Sequence, residues 1–342
     1  MHKPGPRRYL LQPRSYPSLL SLVIPMYNEE AVVGFLRRAL EDFMRTLGCD
    51  AEIILVNDGS TDTTLPQVAD WADQDRRVKV IDLSRNFGHQ LATTAGLDFA
   101  TGDAAVILDA DLQDPLYVIA EMMVHYCEGY DVVYGQRQCR DGETCFKRCT
   151  AWLFYRLMRR MVHQDLPLDA GDFRLISRQC LNGLQQMREV HRFLRGMVAW
   201  AGYPQISVPY RRACRVAGAT KYSLPKMLRF AWTVATSFST LPLKASIVMG
   251  IVVSLLGFAE GLRATLAHLF HWYAVPGWSS LTVLVSLVGG AILISVGVVG
   301  EYVGKIYEQI KDRPLYLVSR AFNVGAATFQ HHDEPVTWRT YR

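Results

Sequence analysis

Ala104-Ala105-Val106-Ile107-Leu108-Asp109-Ala110-Asp111-Leu112-Gln113-Asp114-Pro115 decides the fold. Five apolar residues run into three carboxylates and an amide, and a proline closes the turn. A short apolar run bounded by turn chemistry reads as a strand buried on both faces, as in a parallel sheet. Acids crowded just beyond such a strand repel one another and need a counter-charge. Hard oxygen donors of this kind suit Mg²⁺ or Mn²⁺, which would link the carboxylates to substrate phosphates.

Upstream, Leu19 to Ile24, Glu52 to Asn57 and Val78 to Leu83 are further apolar runs of strand length. Helical patterns over Ala31 to Leu47, Asp62 to Asp73 and His89 to Ala100 separate them, giving repeated strand-helix-strand units. Such units build an open, doubly wound, Rossmann-like α/β sheet, in which ligands bind beyond the carboxyl ends of the strands. The turn after the first strand is Pro25-Met26-Tyr27-Asn28-Glu29-Glu30, with two acids where a helix N-terminus favours negative charge. The second is Asn57-Asp58-Gly59-Ser60-Thr61-Asp62. Asp62 is placed to cap the next helix, and Asp58, at the strand tip, to accept from a nucleobase or ribose.

The apolar residues are unevenly spread. Residues 1–235 alternate charged and apolar runs, whereas Ala245 to Leu262 and Trp278 to Val303 are nearly uncharged and each close to the ~20 residues that span a bilayer core. Lys226, Arg229 and Lys244 precede this hairpin and Lys305, Lys311 and Arg313 follow it; Arg263 is the fixed cation of the intervening loop. The positive-inside rule puts the large domain and both termini on the cytoplasmic side of a multi-pass membrane protein. The expected division is a basic arm (1–18), a catalytic domain (19–222), an amphipathic juxtamembrane helix (223–240), membrane helices over 241–264 and 278–303 joined by an extracytoplasmic loop (265–277), and a cytoplasmic segment (304–342).

A net charge of +5 over 342 residues is modest and gathers near the membrane flank, so no nucleic-acid partner is needed to explain it. Seven cysteines, an odd number, read as reduced thiols; Cys139, Cys145 and Cys149 cluster without zinc-ligand spacing.

The four turns taken in order, Pro25-x-Tyr27-Asn28-Glu29, Asn57-Asp58-Gly59-Ser60-x-Asp62, Ser84-Arg85-Asn86-Phe87-Gly88 and Asp109 to Pro115, resemble those of the family 2 glycosyltransferases of GT-A fold. Within that family the chain resembles the polyprenyl-phosphate enzymes: undecaprenyl (bactoprenol) phosphate glucosyltransferases and, more distantly, dolichol-phosphate mannose synthases. The likeness continues through Asp172-Phe173-Arg174-Leu175, Ala219 to Ser223, both apolar helices and Gly300 to Tyr307, and covers roughly residues 19–320.

The resemblance implies that Pro25, Tyr27, Glu29 and Asp58 bind the nucleoside, and that Asp109 and Asp111 bind ribose, diphosphate and Mg²⁺ or Mn²⁺, with Gln113 a further ligand. It gives Arg85 and Asn86 a donor or acceptor role, and places Asp172 near the reaction centre as a base or an orienting group. It also implies inversion at the sugar and a homo-oligomer such as a tetramer. The donor is then a UDP-sugar or GDP-sugar and the acceptor a polyprenyl phosphate; glucose is the first choice of hexose, with mannose, N-acetylhexosamine and a modified arabinose open.

On the acceptor side, Thr144 to Val162 mixes aromatic and cationic residues as helices lying on lipid headgroups do. Arg211, Arg212, Arg215 and Lys221 follow a short strand over Ile206 to Val208 and stand in sequence between the catalytic turns and the membrane helices. A lipid phosphate needs such cations to offset its desolvation, which selects Arg211, Arg212 and Lys221. The rival is a membrane-bound nucleotide-sugar sensor or lipid carrier that binds without turnover.

Overall fold

A computed structural model describes residues 11–137, 170–211, 236, 239–270 and 278–325. The chain divides into two compact units, and residues 314–325 belong with the N-terminal one.

The first unit is built on an eight-stranded sheet: β1 (Leu19–Met26), β2 (Asp50–Asn57), β3 (Val78–Leu83), β4 (Ala104–Ile107), β5 (Val132–Arg137), β6 (Ala170–Ser177), β7 (Gln205–Tyr210) and β8 (Val318–Phe322), in the order β7-β5-β6-β4-β1-β2-β3-β8. The four strands legible as apolar runs are the parallel centre, β4-β1-β2-β3. Beyond them the sheet is mixed. β6 is antiparallel to both β4 and β5, and β8 is antiparallel to β3.

Helices cover both faces. Leu20, Leu22, Ile24 and Met26 of β1 alternate toward a core shared with Val33, Leu36 and Leu40 of α1 (Glu30–Thr46), Val68 and Trp71 of α2 (Thr64–Gln74), and Ile119 and Met122 of α4 (Tyr117–Cys127). α3 (His89–Asp98) packs on the other face, where Gly96 leaves no room for a side chain: a Cβ would lie 2.3 Å from Val23 Cγ1. α5 (Arg178–Gln186) starts on an N-cap, with Ser177 Oγ accepting from Cys180 N at 3.2 Å, and α6 (Leu194–Ala201) ends at left-handed Gly202.

Arg14, at the end of the basic arm, is tied to this unit by hydrogen bonds to Asp131 Oδ1 (3.0 Å) and Gly129 O (2.9 Å). The segment after the apolar hairpin is also part of it. Ser84 N donates to Leu317 O (2.9 Å), Tyr316 hydroxyl to Asp98 Oδ2 (2.8 Å), and Asn323 Nδ2 to Ala72 O (2.6 Å) and Val78 O (2.9 Å).

The second unit contains α7 (Leu241–Leu269) and α8 (Trp278–Ile310). Residues Leu241–Arg263 and Leu287–Ile310 are long and apolar enough to cross a membrane. Ile247, Val248, Ile251, Leu255, Leu256 and Phe258 of α7, and Ile292, Leu293, Ile294 and Val296 of α8, are exposed. So many exposed apolar side chains are costly in water and ordinary in lipid. Tyr302 hydroxyl donates to Ser239 O (2.6 Å), and Lys305 donates to Thr236 Oγ1.

Candidate active site

The first two turns are sewn together at the carboxyl edge of the sheet. Asn28 takes a left-handed backbone (φ 54°); its N–H donates to Ser60 Oγ (3.0 Å) and its Oδ1 accepts from Thr61 N (2.8 Å). Glu29 N donates to Thr64 Oγ1 (2.9 Å), and Glu30 Oε2 accepts from Thr63 N (3.0 Å). Asp62 spans the same gap, accepting from Thr64 N (3.0 Å) and Glu30 N (3.2 Å). Pro25 is buried and Tyr27 exposed beside this seam.

Asp58, 3% exposed, turns toward the third turn instead. Its Oδ1 accepts from Phe87 N (2.7 Å) and its Oδ2 from Gly88 N (2.9 Å). Burial raises its pKa, opposed by these hydrogen bonds. Gly59 has φ 66°, and a Cβ there would meet the Arg85 carbonyl carbon at 2.5 Å, so the second and third turns touch backbone to backbone. Arg85 lies over the Phe87 ring, 4.0 Å from its centroid, and donates to Asn86 O (3.0 Å); both Arg85 and Asn86 are exposed.

In the acidic turn, Leu112 adopts φ 53° and Gln113 N donates to Asp111 Oδ1 (3.2 Å). Asp114 is buried and accepts from the Tyr210 hydroxyl. Burial and the neighbouring Asp114, Asp172 and Asp111 charges push the Asp109 pKa up, against the pull of His89. Gln113 Oε1 is buried with no hydrogen-bond partner among the described residues. An orphaned amide oxygen on the same turn as Asp109 and Asp111 is a hard donor of the kind that Mg²⁺ or Mn²⁺ takes. No group of three or more His, Cys, Asp or Glu converges as a complete metal cage among the described residues.

The antiparallel pairing of β6 with β4 sets Arg174 opposite Ile107, bringing Asp172 alongside the turn that carries Asp109. Arg195 Nε of α6 binds Asp172 Oδ1 at 2.7 Å, and His89 Nε2 stands 3.4 Å from Asp172 Oδ2 and 3.8 Å from Asp109 Oδ1. Gln90 joins them, donating from Nε2 to Asp172 Oδ2 (3.4 Å) while its Oε1 accepts from Leu194 N (3.0 Å). Burial alone would raise the Asp172 pKa, but Arg195 and His89 hold it well below the ordinary carboxylate range. Burial lowers the His89 pKa; its hydrogen bond to Asp172 and the charges of Asp172 and Asp109 outweigh that and raise it. Arg174 is fully buried, its pKa lowered to about 10, and donates to Gly171 O (3.0 Å).

Tyr27, Glu29, Asp58, Arg85, Asn86, Asp109, Asp111 and Gln113 therefore sit on turns along one edge of one sheet, with Pro25 at the end of β1 and Asp172 beside them. Arg211 follows β7 and is exposed. Arg212, Arg215, Lys221, the Thr144 to Val162 segment, the three clustered cysteines and all of the juxtamembrane run but 236, 239 and 240 lie outside the described residues. His89, Gln90, Arg195 and Tyr210 lie outside the turn motifs legible in the sequence, and Asp114 was legible there only as the third carboxylate of the acidic turn.

Residues 21–184 match the family described as "Glycosyl transferase family 2", which takes in the sheet from β1 to β6 and every carboxylate named above. An "Uncharacterized glycosyltransferase YkcC" of Bacillus subtilis (strain 168) is 45% identical over 89% of this chain and 94% of its own. A "Prophage bactoprenol glucosyl transferase homolog" of Escherichia coli (strain K12) is 37% identical over 88% and 98%, and a "Bactoprenol glucosyl transferase" of Shigella phage SfII 36% identical over 88% and 98%. With end-to-end likeness at these identities and the strand-end carboxylates in place, the chain is a glycosyltransferase and belongs to glycosyl transferase family 2.

Proposed function

We propose that this enzyme transfers a hexose, glucose as first choice, from a UDP-sugar to undecaprenyl or another polyprenyl phosphate with inversion at the anomeric carbon. A GDP-sugar is the alternative donor. The transfer takes place at the cytoplasmic face of the inner membrane and gives a lipid-linked sugar for later use in the cell envelope. One observation carries the reading: Asp109, on the turn after β4, and Asp172, on the adjoining antiparallel β6, face each other across His89, with Asp172 locked as an anion by Arg195. The bactoprenol glucosyl transferase names of relatives that match this chain almost end to end support the lipid acceptor.

In this reading Pro25, Tyr27, Glu29 and Asp58 form the nucleoside pocket, Asp58 also fixing the third turn through its hydrogen bonds to Phe87 and Gly88. Arg85 and Asn86, exposed on that turn, face the donor phosphates. Asp109, Asp111 and Gln113 hold a Mg²⁺ or Mn²⁺ ion, which supplies positive charge to the departing nucleoside diphosphate. Arg211, Arg212 and Lys221 bind the acceptor phosphate.

A phosphate monoester has a second pKa of about 6, so the acceptor is mostly dianionic and nucleophilic at neutral pH. A strong base is unnecessary, and Asp172, held well below the usual carboxylate range, is a poor one. Its work is to orient Arg195 and His89 and to keep cationic charge near the attacking phosphate. Attack opposite the departing diphosphate inverts the sugar, and alignment of the two substrates supplies much of the rate.

α7 and α8 anchor the enzyme as a hairpin with the sheet unit cytoplasmic, as the cations flanking both helices favour. Glycines such as Gly250, Gly257, Gly289 and Gly297 allow close helix contacts, and we include self-association in this reading. Purified protein in detergent, given a panel of UDP- and GDP-sugars, undecaprenyl phosphate and Mn²⁺, should release nucleoside diphosphate and form glycolipid with one donor. Stoichiometric donor binding without product would favour the sensor or carrier instead.

A further inference from the structure

His89 opens α3 directly after Gly88, whose left-handed backbone (φ 96°) is pinned by Asp58 Oδ2 at 2.9 Å. The anchored turn delivers the imidazole between two carboxylates, 3.4 Å from Asp172 and 3.8 Å from Asp109. Its side chain remains 41% exposed, unlike a histidine packed away in the core. The two carboxylates do not depend on it equally. Asp172 is also held by Arg195 (2.7 Å) and Gln90 (3.4 Å), whereas among the described residues His89 is the basic side chain within 4 Å of Asp109.

We propose that His89 is a positioning residue of the transfer reaction: seated between Asp109 and Asp172, it sets the spacing between the donor-side and acceptor-side carboxylates. This rests on the reading of Asp109 as donor-side and Asp172 as acceptor-side given above. Without His89, Asp172 stays on Arg195 while Asp109 loses its tether. Donor and metal still bind, but the diphosphate is no longer aligned with the acceptor. Replacing His89 leaves Asp109, Asp111 and Gln113 in place to take a divalent cation, whereas general damage to the turn would not.

The test compares the full-length wild-type enzyme with His89→Ala, His89→Leu and His89→Lys in detergent. Glycolipid synthesis gives kcat and donor KM, and electron paramagnetic resonance follows Mn²⁺ binding in the presence of UDP. His89→Ala and His89→Leu should lower kcat at least tenfold, with donor KM within about twofold and UDP-dependent Mn²⁺ affinity unchanged or tighter. His89→Lys, which restores a hydrogen-bond donor between the two carboxylates, should recover a large part of kcat. Wild-type kcat in His89→Ala overturns the proposal, as does loss of UDP-dependent Mn²⁺ binding that His89→Lys fails to restore, since that marks local damage to the turn. A wild-type enzyme that binds UDP-sugar without turnover would refute the transfer reading and this role together. An active wild type with a fully active His89→Ala would refute this role alone.

Discussion

Asn323 closes the segment that returns from the apolar hairpin to the sheet, and its replacement tests whether that segment is a true part of the catalytic unit. Its side-chain amide donates to Ala72 O at 2.6 Å and Val78 O at 2.9 Å, tying the end of β8 to α2 and the start of β3. Its backbone is left-handed, φ 56°. The residue is exposed, so water re-solvates the released carbonyls in part, and the two hydrogen bonds together contribute about 1–2 kcal/mol. Forcing alanine into the left-handed region adds about 1 kcal/mol, a cost that glycine avoids. Asn323→Ala should therefore lose about 2–3 kcal/mol and Asn323→Gly about 1–2 kcal/mol. In a unit of this size that lowers Tm by roughly 4–12 °C and 2–8 °C respectively. Thermal melts of the detergent-solubilised variants, followed by near-UV circular dichroism, give the comparison. Two variants within about 1 °C of wild type would refute the docking, and an alanine variant more stable than the glycine one would refute the backbone conformation.

Asp111→Asn should abolish turnover at every donor concentration, and saturating UDP-glucose that restored activity would remove Asp111 from the metal set. Asp172→Asn should retain measurable glycolipid synthesis that rises with pH, as the acceptor loses its second proton near pH ~6; a pH-independent residual rate would contradict the self-ionising nucleophile. Glu52, 5% exposed, accepts from Ser21 Oγ (2.6 Å), Thr101 N (2.7 Å) and Lys79 Nζ. Burial works against its ionisation, yet these partners lower its pKa, so its contribution is present above the unfolded value and lost as pH falls through the depressed one. Glu52→Gln should cost about 3 kcal/mol near neutral pH, and the gap from wild type should narrow below pH ~4 in denaturant melts.

The parallel centre of the sheet was legible because each of its strands is a short apolar run ending in turn residues; β3 spans Val78–Leu83, as expected, and β1 and β2 extend by two residues each. The antiparallel strands were not. β6 carries Asp172 and Arg174 among its apolar residues, and its register with β4, which puts Asp172 beside Asp109, is a long-range property no local pattern encodes. β8 is five residues with exposed Ser319 and Arg320 on an outer edge, the short charged form that edge strands take, and it lies beyond the apolar hairpin. Asp58, Asp109 and Asp111 were readable as strand-end acids, but their partners were less so. The local signal for His89 is its position, directly after the Ser84 to Gly88 turn at the start of a helix aimed at the same edge. Arg195 had none, since its role depends on where α6 packs. Asp58 was expected at the nucleoside, and its clamp on Phe87 and Gly88 adds a structural task invisible in the turn itself.

The central claim is that this family 2 enzyme moves a sugar onto a lipid phosphate. Incubating the full-length protein with radiolabelled UDP-glucose, Mn²⁺ and undecaprenyl phosphate, and counting label in the organic phase, tests it most directly. The account predicts acid-labile lipid-linked label that requires the phosphorylated lipid and Mn²⁺ and is absent with Asp111→Asn. Label that stays water-soluble with every nucleotide sugar offered, under conditions where the protein binds UDP, would contradict it.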